Sequence, residues 1–343
     1  MQNHILEKGK LLGPDGNLLQ KGYATNNILE YDRKDIKAPK WRIKEWDYYY
    51  IGNDDFALCL TISDMGYIGA ISATVIDFKE NWQITKSAVD LFPMGKYKMP
   101  PSTKTGDASA KIGKVQMTFE NDGKIRKLYG SYPKFGNDKE TLAFDITIDE
   151  FPKECMFIAT PFDKPGYFYY NAKINCMRAS GTFSLGNRKY VFENNLATLD
   201  WGRGVWTYNN TWYWGSLQTR LRDGSTFGFN IGYGFGNTSA ASENMLFYKG
   251  LSHKLEDVKF LIPGEDAGKE DYMSPWKFTS SDGRFEMDFT PILDRYAPVD
   301  LKFMAMIPHQ VFGKFSGKAI LDDGTVIELK ETLGFAEKVH NKW

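Results

Sequence analysis

The stretch that decides the fold is Ala319-Ile320-Leu321-Asp322-Asp323-Gly324-Thr325-Val326-Ile327-Glu328-Leu329. An Asp-Gly pair between two alternating apolar runs is the strongest short-range signal of a β-hairpin. Asp-Gly recurs five times in the chain, at residues 15–16, 122–123, 223–224, 282–283 and 323–324. Residues 285–289 alternate apolar and acidic side chains, as is typical of a half-buried strand. Because helical periodicity is scarce, the sequence predicts an all-β fold of antiparallel meanders.

The composition of the chain fits a strand-rich protein. Its 343 residues include 24 Phe, 19 Tyr, 9 Trp and 32 Gly. Aromatic residues favour strands, and glycine favours tight turns. The 43 basic and 43 acidic residues give a formal net charge of zero. Nucleic-acid-binding proteins usually carry a basic excess or a basic stripe, so we expect no nucleic-acid partner.

The first residues of the chain and the spacing of its cysteines both favour a cytoplasmic location. No apolar run reaches the roughly 18 residues of a membrane helix, so we expect no integral membrane segment. The first eight residues lack the apolar core of a signal peptide, which makes the cytoplasm the expected location. Cys59, Cys155 and Cys176 are odd in number and widely spaced, as is typical of reduced thiols. We expect neither a metal site nor a cofactor.

Two aromatic segments about half a chain apart are similar to each other. Trp-Asp-Tyr-Tyr-Tyr at 46–50 precedes a strand pair that turns near residue 65, and Trp-Tyr-Trp at 212–214 precedes one that turns at 223–224. Each half of the chain suits a barrel of about eight to ten strands that can enclose one small ligand. The sequence therefore predicts two antiparallel β-barrels in tandem, over residues 1–185 and 186–343.

Two long segments containing proline interrupt the alternating pattern, at residues 93–107 and 263–275. Loops of this length in a compact domain are often functional. For residues 93–107 we consider two interpretations, a lid and a solvated connector.

The densest group of candidate catalytic residues begins with Leu-Asp-Trp-Gly-Arg-Gly-Val-Trp at residues 199–206. Two glycines would let the backbone bend so that Asp200 and Arg203 face one point between Trp201 and Trp206. A carboxyl group in such an aromatic, partly dry pocket can donate a proton. The alternative is a structural Asp–Arg pair that braces a turn.

The next two strands add candidate ligand-binding residues. Trp212, Trp214 and Gln218 share one face of the first strand, which predicts that both tryptophans point into the barrel lumen and Tyr213 points out. On the second strand, Asn230 stands on a face of glycines, which either lies under a bulky neighbour or makes room for a ligand. The further ligand-binding candidates of this segment are Tyr233 and Asn244.

Two more candidates complete the predicted site. Glu243 is a second catalytic carboxylate, with a structural role as the alternative. His309 is a ligand-binding residue, a general base or a metal ligand. The alternative is a structural histidine, since no second histidine lies at a spacing that suits a metal site. We expect Asp200, Trp201, Arg203 and Glu243 to gather at one end of the main cavity, with Asp200, Glu243 and Arg203 as the catalytic set.

Several segments carry a family resemblance, and they are residues 168–177, 199–204, 212–216, 228–230, 242–244, 289–295, 309–313 and 334–337. They resemble the DUF2804 family of bacterial and fungal proteins of unknown function. More distantly, Asp-Trp-Gly followed by a strand containing Trp resembles the AttH and carotenoid-hydratase (hydroxyneurosporene synthase) group. In place of that group's Asp-His-x-Trp-Gly this sequence has Asp-Trp-Gly-Arg, beginning at Asp200.

The distant resemblance implies a fold and a chemistry. It implies two lipocalin-like barrels in tandem, with an apolar cavity that needs no cofactor between or within them. In the hydratase group an acidic residue protonates an alkene and aromatic residues shield the resulting cation. Asp200 stands at the acidic position of the motif.

Three functions follow from these observations. The first is cofactor-independent acid–base processing of an apolar small molecule, lipid or isoprenoid-like, by hydration, isomerisation or cyclisation. The second is non-catalytic carriage or sensing of such a ligand. The third is a protein-interaction module whose aromatic residues are only core. The polar residues interleaved with tryptophan over residues 199–244 favour a protein that processes its ligand.

Overall fold

The protein consists almost entirely of strands. The computed structural model describes residues 2–300 and 305–343. Within these ranges the regular structure is 24 strands and three single-turn 3₁₀ helices, at Arg33–Asp35, Lys40–Arg42 and Glu265–Ala267. The prediction of an all-β fold is confirmed.

The strands before residue 206 are β1 (Gly9–Lys10), β2 (Gly22–Ala24), β3 (Leu29–Glu30), β4 (Lys44–Gly52), β5 (Phe56–Asp64), β6 (Ile68–Asp77), β7 (Trp82–Leu91), β8 (Ala108–Ile112), β9 (Val115–Asn121), β10 (Arg126–Tyr132), β11 (Leu142–Glu150), β12 (Met156–Pro161), β13 (Phe168–Leu185) and β14 (Arg188–Val205). The main sheet runs β7-β6-β5-β4-β14-β13-β11-β10-β9-β8, and β12 pairs with β13 and β2. Strand β8 contacts β5, β6 and β7 from the opposite end of the sheet. The sheet therefore curls back on itself and forms a first barrel.

The strands after residue 206 are β15 (Asn209–Arg220), β16 (Thr226–Tyr233), β17 (Met245–Tyr248), β18 (Leu251–Lys254), β19 (Val258–Leu261), β20 (Trp276–Ser280), β21 (Phe285–Tyr296), β22 (Val299–Asp300), β23 (Ala305–Ile320) and β24 (Val326–Lys342). This sheet runs β18-β17-β16-β15-β24-β23-β21-β20-β19, with β22 beside β23. Strand β19 comes back into contact with β16, so the second sheet also curls over its own core. The predicted pair of antiparallel barrels in tandem is confirmed.

The chain passes from one sheet to the other after Val205. Strand β14 pairs with β13 and β4 of the first sheet, whereas β15 pairs with β16 and β24 of the second. The division predicted at residues 185/186 falls in the hairpin between β13 and β14. We therefore propose that the two structural units meet at residues 206–208.

Asp-Gly pairs form hairpin turns, as the sequence predicts. In the β23–β24 hairpin, Ile320 lies opposite Val326 and the Asp323 carboxylate accepts a hydrogen bond from the backbone N–H of Thr325 at 2.9 Å. Gly324 has φ of 85°, in the left-handed region where glycine has no steric penalty. The pairs at 122–123, 223–224 and 282–283 likewise connect consecutive strands. Local turn chemistry therefore sets the meander.

Each barrel has its own hydrophobic core, and the loop at residues 93–107 belongs to the first one. Tyr97 and Met99 of this loop are buried in that core. The Pro100 carbonyl accepts a hydrogen bond from Arg203 at 2.8 Å, and the Thr103 carbonyl accepts one from Arg126 at 2.7 Å. The segment is thus anchored to the barrel at several buried residues, while others such as Lys96 and Lys98 are exposed. The lid and the connector both remain predictions.

The two barrels pack wall against wall. On β4, Tyr49 and Ile51 point into the first core, while Tyr48 and Tyr50 point towards the second sheet. The ring centroid of Tyr48 lies 5.9 Å from that of Trp214, and Tyr50 lies 5.7 Å from Phe335. The two aromatic segments that are similar in sequence therefore face each other across the boundary.

Gly202 on β14 makes room for the side chain of Trp46 on the neighbouring strand β4. A Cβ atom added there would overlap the indole ring of Trp46, which lies across the strand. The indole ring of Trp46 therefore covers Gly202. The backbone does not bend at this glycine, because β14 continues as a strand to Val205.

We predict that Gly202→Ala lowers the free energy of unfolding by about 1–3 kcal/mol, because a new methyl group must displace a packed indole. Urea denaturation followed by tryptophan fluorescence measures the change. Gly9→Ala is the matched control, since a Cβ atom there meets nothing within 4 Å. Equal stability of Gly202→Ala and the wild type would show that Trp46 does not require this glycine.

Candidate functional site

Four charged side chains are buried where the two barrels meet. Lys173 on β13, Asp200 on β14, Glu337 on β24 and Glu243 before β17 are 3%, 7%, 7% and 7% exposed. We call these four residues the interface cluster. Burying a charge is unfavourable unless it is paired or neutralised, so each group needs an explanation. Each keeps only a small accessible area.

Lys173 and Asp200 form an ion pair because they lie directly opposite each other on β13 and β14. The Lys173 Nζ lies 3.0 Å from Asp200 Oδ1, and the Asn171 amide donates a hydrogen bond of 2.6 Å to the same oxygen. Lys173 Nζ also lies 3.8 Å from the ring centroid of Trp214, a cation–π contact with the opposite barrel. This lysine therefore links the two walls.

Glu243 carries the most unusual carboxyl group of the cluster. Burial raises its pKa to about 6; the nearby Lys173 opposes the rise and Asp200 adds to it. Among the residues that the structure describes, no side chain forms a hydrogen bond or close ion pair with this carboxyl group. Its backbone carbonyl instead accepts a 2.7 Å hydrogen bond from Asn230, whose Oδ1 accepts one of 2.7 Å from Trp214 Nε1. The peptide is thus fixed while the carboxyl group stays available.

Glu337 is held by two neighbours on its own sheet. The Trp212 indole donates to one carboxylate oxygen at 3.0 Å, and the Gln310 amide donates to the other at 2.9 Å. Burial raises the pKa of Glu337, and the hydrogen bond from Trp212 opposes this rise. The charge of Lys173 lowers the pKa of Glu337 and the charge of Asp200 raises it. Charged groups of the first barrel therefore affect the protonation of a carboxyl group on the second.

Aromatic rings pack together beside these charges. Tyr169, Trp206 and Trp212 each contact Phe235 edge to face, with ring centroids 4.8, 5.4 and 5.3 Å away. Trp46 packs on Trp206 at 5.5 Å. The pKa of Tyr169 is raised well above its usual value by burial and by Glu243, Asp200 and Glu337. The arrangement combines an apolar wall with three carboxyl groups.

The predicted grouping of Asp200 with Trp201 and Arg203 is wrong. Side chains alternate along an uninterrupted strand, so residues one or three positions from Asp200 point to the opposite face. Arg203 lies inside the first barrel, where it pairs with Asp47 at 2.9 Å and lies 4.1 Å from the Trp201 ring centroid. Of the charged residues in this motif, Asp200 alone belongs to the interface cluster. Trp206, beyond the end of the strand, packs beside the cluster.

Trp212 and Trp214 do share a face, but the predicted direction of that face is wrong. Tyr213 packs on the core of the second barrel and stacks on Tyr233 at 4.4 Å. The two tryptophans face the first barrel instead. Strand β15 lies in the wall between the barrels, so the face that carries Trp212 and Trp214 is covered by the first barrel. Tyr233 therefore lies apart from the tryptophans.

Three other predicted residues hold the backbone around the cluster. Gln218 accepts hydrogen bonds of 2.9 Å from the Cys176 N–H and from Thr198 Oγ1. It thereby fixes the bulge where β13 shifts its register. Asn244 accepts a 2.7 Å hydrogen bond from the Gly232 N–H, and Asn230 fixes the Glu243 peptide as described. We assign these side chains to positioning.

His309 belongs to a separate group of residues. Its Nδ1 lies 2.6 Å from Asp294, and its ring is stacked between Tyr272 at 3.8 Å and Tyr296 at 4.5 Å. Its neighbour Gln310 contacts Glu337, so alternation along β23 turns His309 away from the interface cluster. The structure does not bring His309 to the other predicted residues.

Lys173 and Glu337 were missed by the sequence prediction. Residues 168–175 alternate strictly between apolar side chains and Tyr169, Asn171, Lys173 and Asn175. That pattern indicates a strand with one polar face, but it resembles an ordinary solvent-exposed strand. Glu337 had even less signal, because its partners Trp212 and Gln310 are distant in the sequence.

A large groove lies away from the cluster. It has a volume of about 1240 Å³ and follows the outer face of the second sheet. Its charged residues pair across the strands, as Lys277 does with Asp288 and Lys318 with Glu286. Because charged pairs alternate with apolar residues in its lining, this groove does not match the apolar cavity that the sequence predicts. Over residues 2–300 and 305–343, no three His, Cys, Asp or Glu side chains could hold a metal ion, and no helix could cross a membrane.

Comparison with solved structures reveals the same architecture. Kievitone hydratase from Nectria haematococca superposes with a TM-score of 0.55 and 13% identity, over 97% of this chain and 98% of that one. CghA gives a TM-score of 0.57 and 9% identity, over 98% and 97%. An AttH-like protein from Nitrosomonas europaea gives 0.51 and 12%, over 90% and 96%. These similarities show a common fold of two lipocalin-like barrels.

Comparison with sequences defines the family. No curated protein sequence matches the chain. A family model described as a domain of unknown function, DUF2804, matches residues 2–343. The predicted resemblance to this family is confirmed, and the AttH-like protein shares the fold of the chain. The chain therefore belongs to the DUF2804 family.

Proposed function

We propose that the protein binds an apolar small molecule between its two barrels and processes it by acid–base chemistry that needs no cofactor. The observation that carries this proposal is the Glu243 carboxyl group, which lies without a hydrogen-bond partner among the described residues, beside an ion pair and an aromatic wall. Kievitone hydratase, by its name a hydratase, has the same fold, which supports this class of reaction.

Glu243 is the proton donor in this proposal. A general acid works best when its pKa lies near the working pH, and burial raises the pKa of Glu243 to about 6. Transfer of its proton to a carbon–carbon double bond would leave a positive charge on the substrate. The rings of Trp212, Trp46 and Phe235 would face that charge, and aromatic faces attract cations.

Asp200 is the proton acceptor or the group that orients water. It receives hydrogen bonds from Lys173 and Asn171, which fix its position on the wall opposite Glu243. Loss of a proton from the cation to Asp200 gives an isomer, or a cyclised product if a second double bond of the substrate first attacks the cation. Addition of water to the cation, with loss of the water proton to Asp200, gives a hydrate. In its ionised form Glu337 would favour the cationic intermediate.

A non-catalytic carrier of the same ligand is the alternative. The aromatic wall formed by Tyr169, Trp206, Trp212 and Phe235 favours it, because such a surface binds an apolar molecule without any reaction. The two proposals differ in whether a proton moves between protein and ligand.

We predict that Glu243 makes the stability of the folded chain depend on pH. Its pKa rises on folding from 4.5 to about 6, so the folded state holds the proton more tightly. The resulting stabilisation is complete below pH about 4.5 and is lost as the pH rises through about 6. Between those limits the stability of the wild type relative to Glu243→Gln should fall by about 2 kcal/mol.

Urea denaturation of both proteins across this pH range measures the difference. Glu193→Gln, at an exposed carboxylate on β14, is the control and should run parallel to the wild type. A difference between wild type and Glu243→Gln that stays constant with pH would contradict the assignment of Glu243 as the raised carboxyl group.

The catalytic proposal is tested with the compound that co-purifies with the chain from its source cells, identified by native mass spectrometry. Incubation of that compound with the protein in D₂O should place deuterium on carbon or form a new product. Glu243→Gln and Asp200→Asn should retain the compound but lose the exchange, by roughly a hundredfold or more for a general acid or base. A bound compound that never exchanges or reacts with the wild type would support the carrier.

A further inference from the structure

Large apolar side chains are exposed at one corner of the first barrel. Trp41, Leu91, Phe92 and Met94 are 46%, 67%, 64% and 39% exposed. Isolated exposed apolar residues are normal on protein surfaces, but a contiguous group that includes aromatic rings usually marks an interaction site. We call these four residues the Phe92 corner.

Backbone contacts bring the four residues to one place. The Phe92 N–H donates to the Tyr67 carbonyl at 2.8 Å, and the Met94 N–H donates to the Gly66 carbonyl at 3.0 Å. Leu91 lies at the end of β7, which is an edge strand of the sheet. Gly66 packs so closely on the Trp41 backbone that any side chain there would overlap it. The turn between β5 and β6 therefore joins Trp41 to the other three residues.

The corner is held in shape from beneath by a buried carboxylate. Asp64 is fully buried and accepts hydrogen bonds from the N–H groups of Gly66 at 3.0 Å and Gly95 at 2.7 Å. Pro93 and Tyr97 point inwards between the exposed residues. Phe92 and Met94 have φ values of 55° and 47°, in the left-handed region that non-glycine residues rarely adopt. The backbone is thus fixed in a strained form that keeps both side chains outside, and such strain often marks functional sites.

Basic side chains surround the apolar ones. Lys40 precedes Trp41, and Arg42 lies with its guanidinium 5.1 Å from the Trp41 ring centroid. Lys96 and Lys98 follow Met94, and both are exposed. Residues 91–101 contain no acidic residue. Two acidic groups adjoin this loop: Asp64 is buried beneath it, and Asp90 lies 3.7 Å from Lys96.

We propose that the Phe92 corner docks the protein on an anionic lipid surface. Aromatic and aliphatic side chains that enter the boundary between headgroups and acyl chains, ringed by Lys and Arg, are the usual elements of interfacial binding. The basic residues add attraction to anionic headgroups. A second copy of the chain is a poorer partner, because symmetric pairing of this corner would bring two basic rims together.

The Phe92 corner lies close to the aromatic residues beside the interface cluster. The Arg42 guanidinium donates to the Trp206 carbonyl at 3.4 Å, and Met65 packs on the aromatic group that contains Trp206 and Phe235. An apolar molecule leaving the lipid would therefore reach the proposed site over a short path. The docking itself does not depend on the proposed function.

Co-sedimentation of the full chain with vesicles tests the proposal. Vesicles of phosphatidylcholine and phosphatidylglycerol, at roughly 3:1, should bind the chain better than phosphatidylcholine alone, and binding should weaken as NaCl rises from about 0.1 to about 0.5 M. The double variant Leu91→Ser/Phe92→Ser should bind roughly tenfold more weakly. Lys96→Glu/Lys98→Glu should lose the preference for the anionic lipid.

The control is Leu251→Ser/Val326→Ser, which removes apolar side chains of 46% and 51% exposure from the second barrel and should bind vesicles as the wild type does. Circular dichroism establishes that each variant is folded. Failure of the wild type to bind anionic vesicles, or equal binding by the Leu91→Ser/Phe92→Ser variant, would overturn the proposal. So would a dimer in sedimentation velocity that this variant abolishes, because it would assign the corner to a second copy.

Discussion

The wall shared by the two barrels is the constraint on which the rest of the structure depends. A barrel strand normally has one face in its core and one face in water, but here several strands are covered on both sides. On β14, all residues from Leu196 to Val205 are buried. A polar side chain on such a strand cannot reach bulk water, so it must find a partner inside the protein or change its protonation. Because side chains alternate along a strand, the position of a residue decides whether its side chain points into the core of a barrel or into the interface between the barrels.

The interface cluster is difficult to explain by stability alone. A buried ion pair such as Lys173–Asp200 contributes little net stability, because desolvation offsets the attraction. Well-packed apolar residues would join the barrels at least as firmly, as Tyr48, Tyr50 and Phe335 already do on the same wall. The charges and the unbonded Glu243 carboxyl group are therefore the basis on which we propose a role in chemistry.

Local patterns in the sequence were sufficient for the fold and for part of the site. Asp-Gly turns and alternating runs specify hairpins through short-range physics, so the meanders around Gly224 and Gly324 could be predicted. Trp212 and Trp214 were correctly placed on one face, but no local pattern tells whether the facing surface is a lumen or another barrel. The same limit hid Lys173, whose neighbours in space come from distant strands. Arg203 was misassigned because Gly202 was interpreted as a bend, whereas it makes room for Trp46.

The central claim is that an apolar molecule binds between the barrels and not inside either one. Photo-crosslinking with an alkyl diazirine probe, followed by peptide mapping, tests this location directly. The account predicts labelled peptides from both walls, containing Tyr169 on β13 and Trp212 on β15, with labelling that an excess of unlabelled apolar ligand suppresses. Labelling confined to core residues of one barrel, such as Ile51 or Phe229, would contradict it.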